Sequence, residues 1–158
     1  MPEKKHYLLP GTLFAKDERH IVTTVLGSCI AVSLWDPVKC LGGINHYLLP
    51  LWNGEGLPTP RYGNVAIPKL IERLVSLGAD PKKLQAKVFG GAALWQKTEG
   101  LMSIGDRNIE LAEDMLSEVR IPIVNADVGG IRGRKIIFDT SDGTVLLRRH
   151  PFREKPGL

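Results

Sequence analysis

One hairpin constrains this chain more than any other stretch. Residues 29 to 35, Cys-Ile-Ala-Val-Ser-Leu-Trp, put large apolar side chains at Ile30, Val32 and Leu34 with mostly smaller ones between. That period of two argues for a strand. Residues 41 to 48, Leu-Gly-Gly-Ile-Asn-His-Tyr-Leu, supply its partner. Between them Asp36-Pro37-Val38-Lys39 has Asp first and Pro second, which predicts a type I turn because proline presets the angle of the second position. With Asp36 facing Lys39, Cys29 falls opposite His46, their Cβ atoms roughly 5 Å apart. A bulge at Gly42-Gly43 is the one feature that would re-aim the residues after it and change the face His46 occupies.

A thiol beside an imidazole is the arrangement that nucleophilic cysteine enzymes use. The sulfur attacks as the thiolate, and the imidazole either takes its proton or, as imidazolium, stabilises the anion. Gly27-Ser28 ahead of the cysteine allows a close backbone approach and exposes amides able to hold an oxyanion. The plainer alternative is a small buried cysteine and a satisfied structural histidine, and strand pairing alone does not separate the two.

Elsewhere Tyr7-Leu8-Leu9 and Leu13-Phe14-Ala15 read as short strands leading into Ile21 to Leu26. The stretch from Pro50 to Pro60, rich in Gly and Pro, reads as a loop at the rim of the site. Val65 to Leu77 and Ile109 to Val119 are amphipathic helices, each expected to cover a sheet. Asn64 is a candidate cap for the first, with Pro68 in its first turn and Gly78 ending it; Asp106 or Asn108 is a candidate cap for the second. Gln85 to Phe89, ending at Gly90-Gly91, and Ile121 to Ala126 read as strands. Lys135 to Phe138 and Val145 to Arg148 form a hairpin closed through Ser141-Asp142-Gly143. The Gly129 to Lys135 loop lacks the strand, loop and helix order of a phosphate loop and is read as turn chemistry. Two helices among many short strands, several of them hairpins, indicate an α+β fold with mixed, largely antiparallel sheets.

A chain of 158 residues with 43% apolar content suits one domain spanning residues 1–158. It contains no apolar run long enough for a bilayer, and its first residues carry no signal-peptide core, so the expected location is the cytoplasm. In that reducing compartment Cys29 and Cys40 are expected as free thiols, Cys40 without a chemical role. Neither a cofactor nor a metal is expected, since no close Cys or His pair among Cys29, Cys40, His46 and His20 marks a zinc site. Cations gather toward the C-terminus at Arg132, Arg134, Lys135, Arg148, Arg149, Arg153 and Lys155. They read as a solvated face or an attraction to an acidic protein partner rather than a nucleic-acid surface, because no aromatics are interleaved for stacking.

Thr23, Leu26-Gly27-Ser28-Cys29, Asp36-Pro37, Gly42-Gly43, His46 and Leu48-Leu49-Pro50, in that order, resemble the bacterial chemoreceptor glutamine deamidases of the CheD family. Arg61-Tyr62, Lys87 to Ala92, Ile104 to Asn108, Asp127 to Gly130 and Gly133-Arg134-Lys135 extend the resemblance through most of the chain. It implies a layered α/β sandwich like that of cysteine deamidase toxins, with catalytic Cys29, His46 and Thr23, the last orienting the imidazole. It also implies deamidation of glutamines, and in the family sometimes hydrolysis of glutamyl methyl esters, on methyl-accepting chemotaxis receptors. A regulatory module pairing with and stimulating the chemotaxis phosphatase CheC is the alternative. A cysteine protease is a third and weaker reading.

Overall fold

A computed structural model describes residues 3–93 and 102–151. These residues form β1 (Lys5–Tyr7), β2 (Leu13–Ala15), β3 (Ile21–Leu26), β4 (Ile30–Asp36), β5 (Leu41–Asn45), α1 (Gly63–Ser76), β6 (Gln85–Gly90), α2 (Ile104–Glu118), β7 (Ile123–Val128), β8 (Arg134–Asp139) and β9 (Val145–Arg149). The strands make two sheets, one in the order β1-β3-β8-β9 and one in the order β2-β5-β4-β6-β7. β1 with β3 and β6 with β7 are parallel pairs; the other pairs are antiparallel. No helix among the described residues is long and apolar enough to cross a membrane.

Two apolar cores define three layers. Leu8, Val22, Leu26, Ala31, Ile44, Phe89, Ile136 and Phe138 fill the space between the sheets. Ile30, Val32, Leu34, Leu70, Leu74, Val88, Ala112 and Leu116 fill the space between the five-stranded sheet and the two helices. Strand β4 contributes to both, Ala31 to one and Ile30 and Val32 to the other, because successive side chains of a strand point to opposite faces. A strand buried on both faces cannot show a clean polar alternation, which is why β4 reads as nearly continuous apolar sequence.

The hairpin forms, in a different register. Asp36 pairs with Leu41 and Ser33 with Ile44, so the loop holds Pro37 to Cys40 instead of closing at Lys39. The Asp36 carboxylate explains the longer loop, accepting from the amides of Val38 at 2.8 Å, Lys39 at 3.1 Å and Asp80 at 2.8 Å. Burial pushes this carboxyl up, and those three amides more than offset it, leaving Asp36 below its ordinary value. Cys40 closes the loop with φ of 53°, the left-handed conformation that a four-residue connection requires at its end. Through Gly42-Gly43 the ladder runs without a bulge.

Both helices start earlier than their apolar pattern indicates. For α1 the cap position is Tyr62, and Asn64 instead accepts from the Trp52 amide at 2.8 Å, tying down the rim loop. Pro68 lies beyond the first turn, inside the helix. The helix ends in a Schellman motif at Gly78, with Ala79 N–H on Leu74 O at 2.9 Å and Gly78 N–H on Val75 O at 3.0 Å. Helix α2 is capped by Ser103, with Asp106 completing a capping box. Asn108 is therefore free of capping and points inward.

Candidate active site

After β3 the chain crosses from one sheet to the other through Gly27, Ser28 and Cys29. This crossing is held on two sides. From the end of β6, Gly91 N–H donates to Cys29 O at 2.9 Å and Ala92 N–H to Gly27 O at 3.0 Å. From α2, Asn108 Nδ2 donates to Ser28 O at 3.0 Å and to Leu48 O at 2.9 Å. Gly90 runs against the crossing so closely that a Cβ there would lie 2.2 Å from Cys29 O, and its φ of +106° favours glycine as well. Of this glycine pair, Gly90 packs against the cysteine loop and Gly91 against Ile109 and Gly105 of α2. Buried Arg134 secures Gly90 from the far side, reaching its carbonyl at 3.3 Å while Nε holds Asp127 Oδ1 at 2.7 Å.

His46 arrives from the other side. Its amide donates to Thr12 O at 3.1 Å and its carbonyl accepts from Gly11 N–H at 2.8 Å, so the backbone is fixed by the segment leading into β2. The residue is 1% exposed, and its Nδ1 lies 2.7 Å from Thr24 Oγ1. The Thr24 hydroxyl donates its single proton to Leu8 O at 2.9 Å. Oγ1 is then an acceptor toward the ring, which assigns the imidazole proton to Nδ1 and leaves the lone pair on Nε2. Nε2 is buried and has no partner among the described residues.

Cys29 and His46 share the layer between the sheets. Cys29 packs on the inter-sheet core, and His46 reaches Thr24, whose neighbours Val22 and Leu26 line the same core. The isolated bridge between Ile30 and Tyr47 makes the two diagonal neighbours rather than direct partners, with Cβ atoms roughly 7 Å apart in a regular ladder. A register offset of two keeps a side chain on its face, so the expected direct pairing gives way to a diagonal one on the same face.

Burial keeps both groups neutral. It pushes the Cys29 thiol up, offset in part by the residue's own amide, and it lowers His46 to about 4. The resting pair is thiol and imidazole.

The threonine on the imidazole is Thr24, which corrects the assignment of that contact to Thr23. Residues alternate across β3, and Thr23 faces outward between Tyr7 and Ile137. Ile21 to Leu26 is apolar at odd and even positions alike, so its sequence did not show which threonine turns inward. Cys40 is exposed in the hairpin loop, at the far end of β4, roughly 20 Å from Cys29 by strand rise. The sequence pattern gives Asn108 only the role of a candidate cap. The Ser103-Asp106 capping box was the available signal, since it starts the helix early enough to place Asn108 inside it. No group of three or more His, Cys, Asp or Glu side chains among the described residues is arranged to hold a metal ion.

A family profile described as "CheD chemotactic sensory transduction" matches residues 48–149. A relative from Trichlorobacter lovleyi, named "Probable chemoreceptor glutamine deamidase CheD", is 51% identical over 148 residues, 94% of this chain and 92% of that one. Relatives of the same name from Sulfurimonas denitrificans and Vibrio vulnificus are 45% and 38% identical, covering 94% and 93% of this chain and 96% and 72% of theirs. Among solved structures, the Bacillus licheniformis hypothetical protein YfiH overlaps with a TM-score of 0.45 at 15% identity, over 68% of this chain and 46% of that one. With the profile spanning most of its length and relatives matching along nearly all of it, the chain belongs to the CheD family.

Proposed function

We propose that this protein hydrolyses glutamine side chains of methyl-accepting chemotaxis receptors to glutamate, acting in the cytoplasm. The observation that carries the chemistry is the relay from Leu8 O through Thr24 to His46, which leaves an unpartnered Nε2 lone pair in the layer that holds Cys29. As Nε2 takes the thiol proton, sulfur attacks the carboxamide carbon, and a tetrahedral oxyanion forms beside the backbone amides of the Gly27–Cys29 crossing. His46, now protonated, gives the proton to the departing ammonia, leaving a thioester. It then takes a proton from water, whose oxygen attacks the thioester carbon, and returns that proton to sulfur as glutamate leaves. Thr24 keeps Nδ1 protonated throughout and supports the imidazolium through a neutral acceptor, a weaker orienter than a carboxylate. The same steps accept a glutamyl methyl ester, with methanol leaving in place of ammonia.

The relatives' printed name supports the receptor as substrate. Incubating a receptor cytoplasmic fragment with the protein should add about one dalton at particular glutamines of an intact chain, and Cys29→Ala should abolish the change. Chain cleavage would support a protease, and an unchanged fragment would overturn the reading. Pairing with a CheC-type phosphatase belongs to the same proposal through the family resemblance; that partner in excess should suppress deamidation if it covers the same end of the sandwich.

A further inference from the structure

The outer face of the four-stranded sheet has no layer packed on it among the described residues, and its register shows an ordered pattern. One row across the sheet reads Tyr7, Thr23, Ile137 and Leu146; the next reads Val25, Lys135 and Arg148. Tyr7 and Leu146 are 55% and 64% exposed. Lys135, Ile137, Leu146 and Arg148 border one shallow depression of about 150 Å³. An apolar row thus lies beside a cationic one.

Two successive rungs of the β8–β9 ladder set cation against cation, Arg134 opposite Arg149 and Lys135 opposite Arg148. Like charges directly opposite on a sheet are destabilising. The first pair is relieved from within, because Asp127 Oδ1 lies 2.7 Å from Arg134 Nε and Asp127 Oδ2 lies 2.5 Å from Arg149 Nη2. Among the described residues no carboxylate forms an ion pair with Lys135 or Arg148. The second pair repeats the first without its anion.

We propose that this face is a docking surface for an acidic amphipathic helix of the substrate, a carboxylate bridging Lys135 and Arg148 and an adjacent apolar side chain resting on Ile137 and Leu146. The inference rests on the proposed receptor substrate and adds a second contact beyond the reacting glutamine. Val25, in the cationic row, precedes Cys29 by four residues, at most about 14 Å of extended chain, and Lys135 and Arg148 lie one and two strands beyond it, roughly 5 and 10 Å. A helix of about sixteen residues covers the summed path of roughly 24 Å. Long-range attraction by this row would also speed encounter at low ionic strength.

The test uses a fluorescent receptor cytoplasmic fragment and the full-length protein carrying Cys29→Ala, so that binding is read without turnover. Adding Lys135→Glu and Arg148→Glu should weaken binding at least tenfold at low salt and by much less at 0.5 M. Adding Leu146→Ser alone should weaken it at both. In the active background the charge reversals should raise KM, with kcat and the rate of Cys29 alkylation by iodoacetamide unchanged. Equal affinity of the charge-reversed and parent proteins, or tighter binding of single-stranded DNA than of the fragment, overturns the docking surface. Salt-sensitive, charge-dependent binding with no deamidation by the wild type would overturn the proposed activity and leave the surface standing.

Discussion

For single residues, the roles of the two adjacent threonines of β3 can be separated by experiment. Thr24 accepts the Nδ1 proton of His46 and Thr23 faces solvent on the other side of β3. Thr24→Val should therefore lower deamidation by about a hundredfold, because an imidazole released from its orienting acceptor loses the geometry that proton transfer needs. Thr23→Val should stay within about twofold, since it removes nothing the reacting groups touch. Rates from the two variants on the same receptor fragment decide it, and the reverse ranking would return the role to Thr23. The neutral state of the pair is testable too. With burial raising the thiol and lowering the ring, alkylation of Cys29 should be slow at pH 7 and climb only as the pH passes the ordinary thiol range. A plateau of fast alkylation from pH 5 to 8 would instead show a preformed thiolate-imidazolium pair.

Among elements, α2 does more than cover the sheet. Through Asn108 it ties the residue before Cys29 to the residue two beyond His46, and Tyr47 Oη donates to Asn108 O at 2.5 Å from between them. Both Nδ2 partners are carbonyls, so the amide orientation is fixed and Oδ1 is the atom left without a partner. Asn108→Leu keeps the shape and removes both donors. It should lose about 1–3 kcal/mol of stability, since two part-buried carbonyls lose their donor, and lower kcat with little change in KM. A melting shift with undiminished kcat would make Asn108 a strut of the fold alone.

The elements themselves were largely legible, because hairpin alternation and helix periodicity are local properties of sequence. Register was less so, since the loop length was set by the Asp36 carboxylate meeting the Asp80 amide, forty-four residues along the chain. The contacts of Asn108 and the inward turn of Thr24 were illegible for the same reason. Each depends on a partner strand or helix whose position no local pattern encodes.

For the whole molecule, the neutral buried histidine carries a consequence for folding. His46 titrates near 6.5 when unfolded and about 4 in the fold, its ring desolvated between the sheets. Between those values the unfolded chain holds a proton that the folded chain does not, so stability falls as the pH drops from 6.5 toward 4 and this contribution is flat below. At about 1.4 kcal/mol for each unit of displacement, the loss is on the order of 3 kcal/mol, a large fraction of a typical domain's stability. Burial also lowers His6 and His20, so a part of the slope in this window belongs to them. Asp139, held down to about 2 chiefly by its hydrogen bond from Arg19, has its own window lower still, its stabilisation lost as the pH falls from 3.8 toward 2. Denaturant melts of wild type and His46→Gln across pH 4 to 8 should converge at the acid end, the variant losing less stability because it has no ring to protonate. Parallel curves for the two proteins would mean that His46 takes up its proton in the fold as readily as in water, against the burial of its ring.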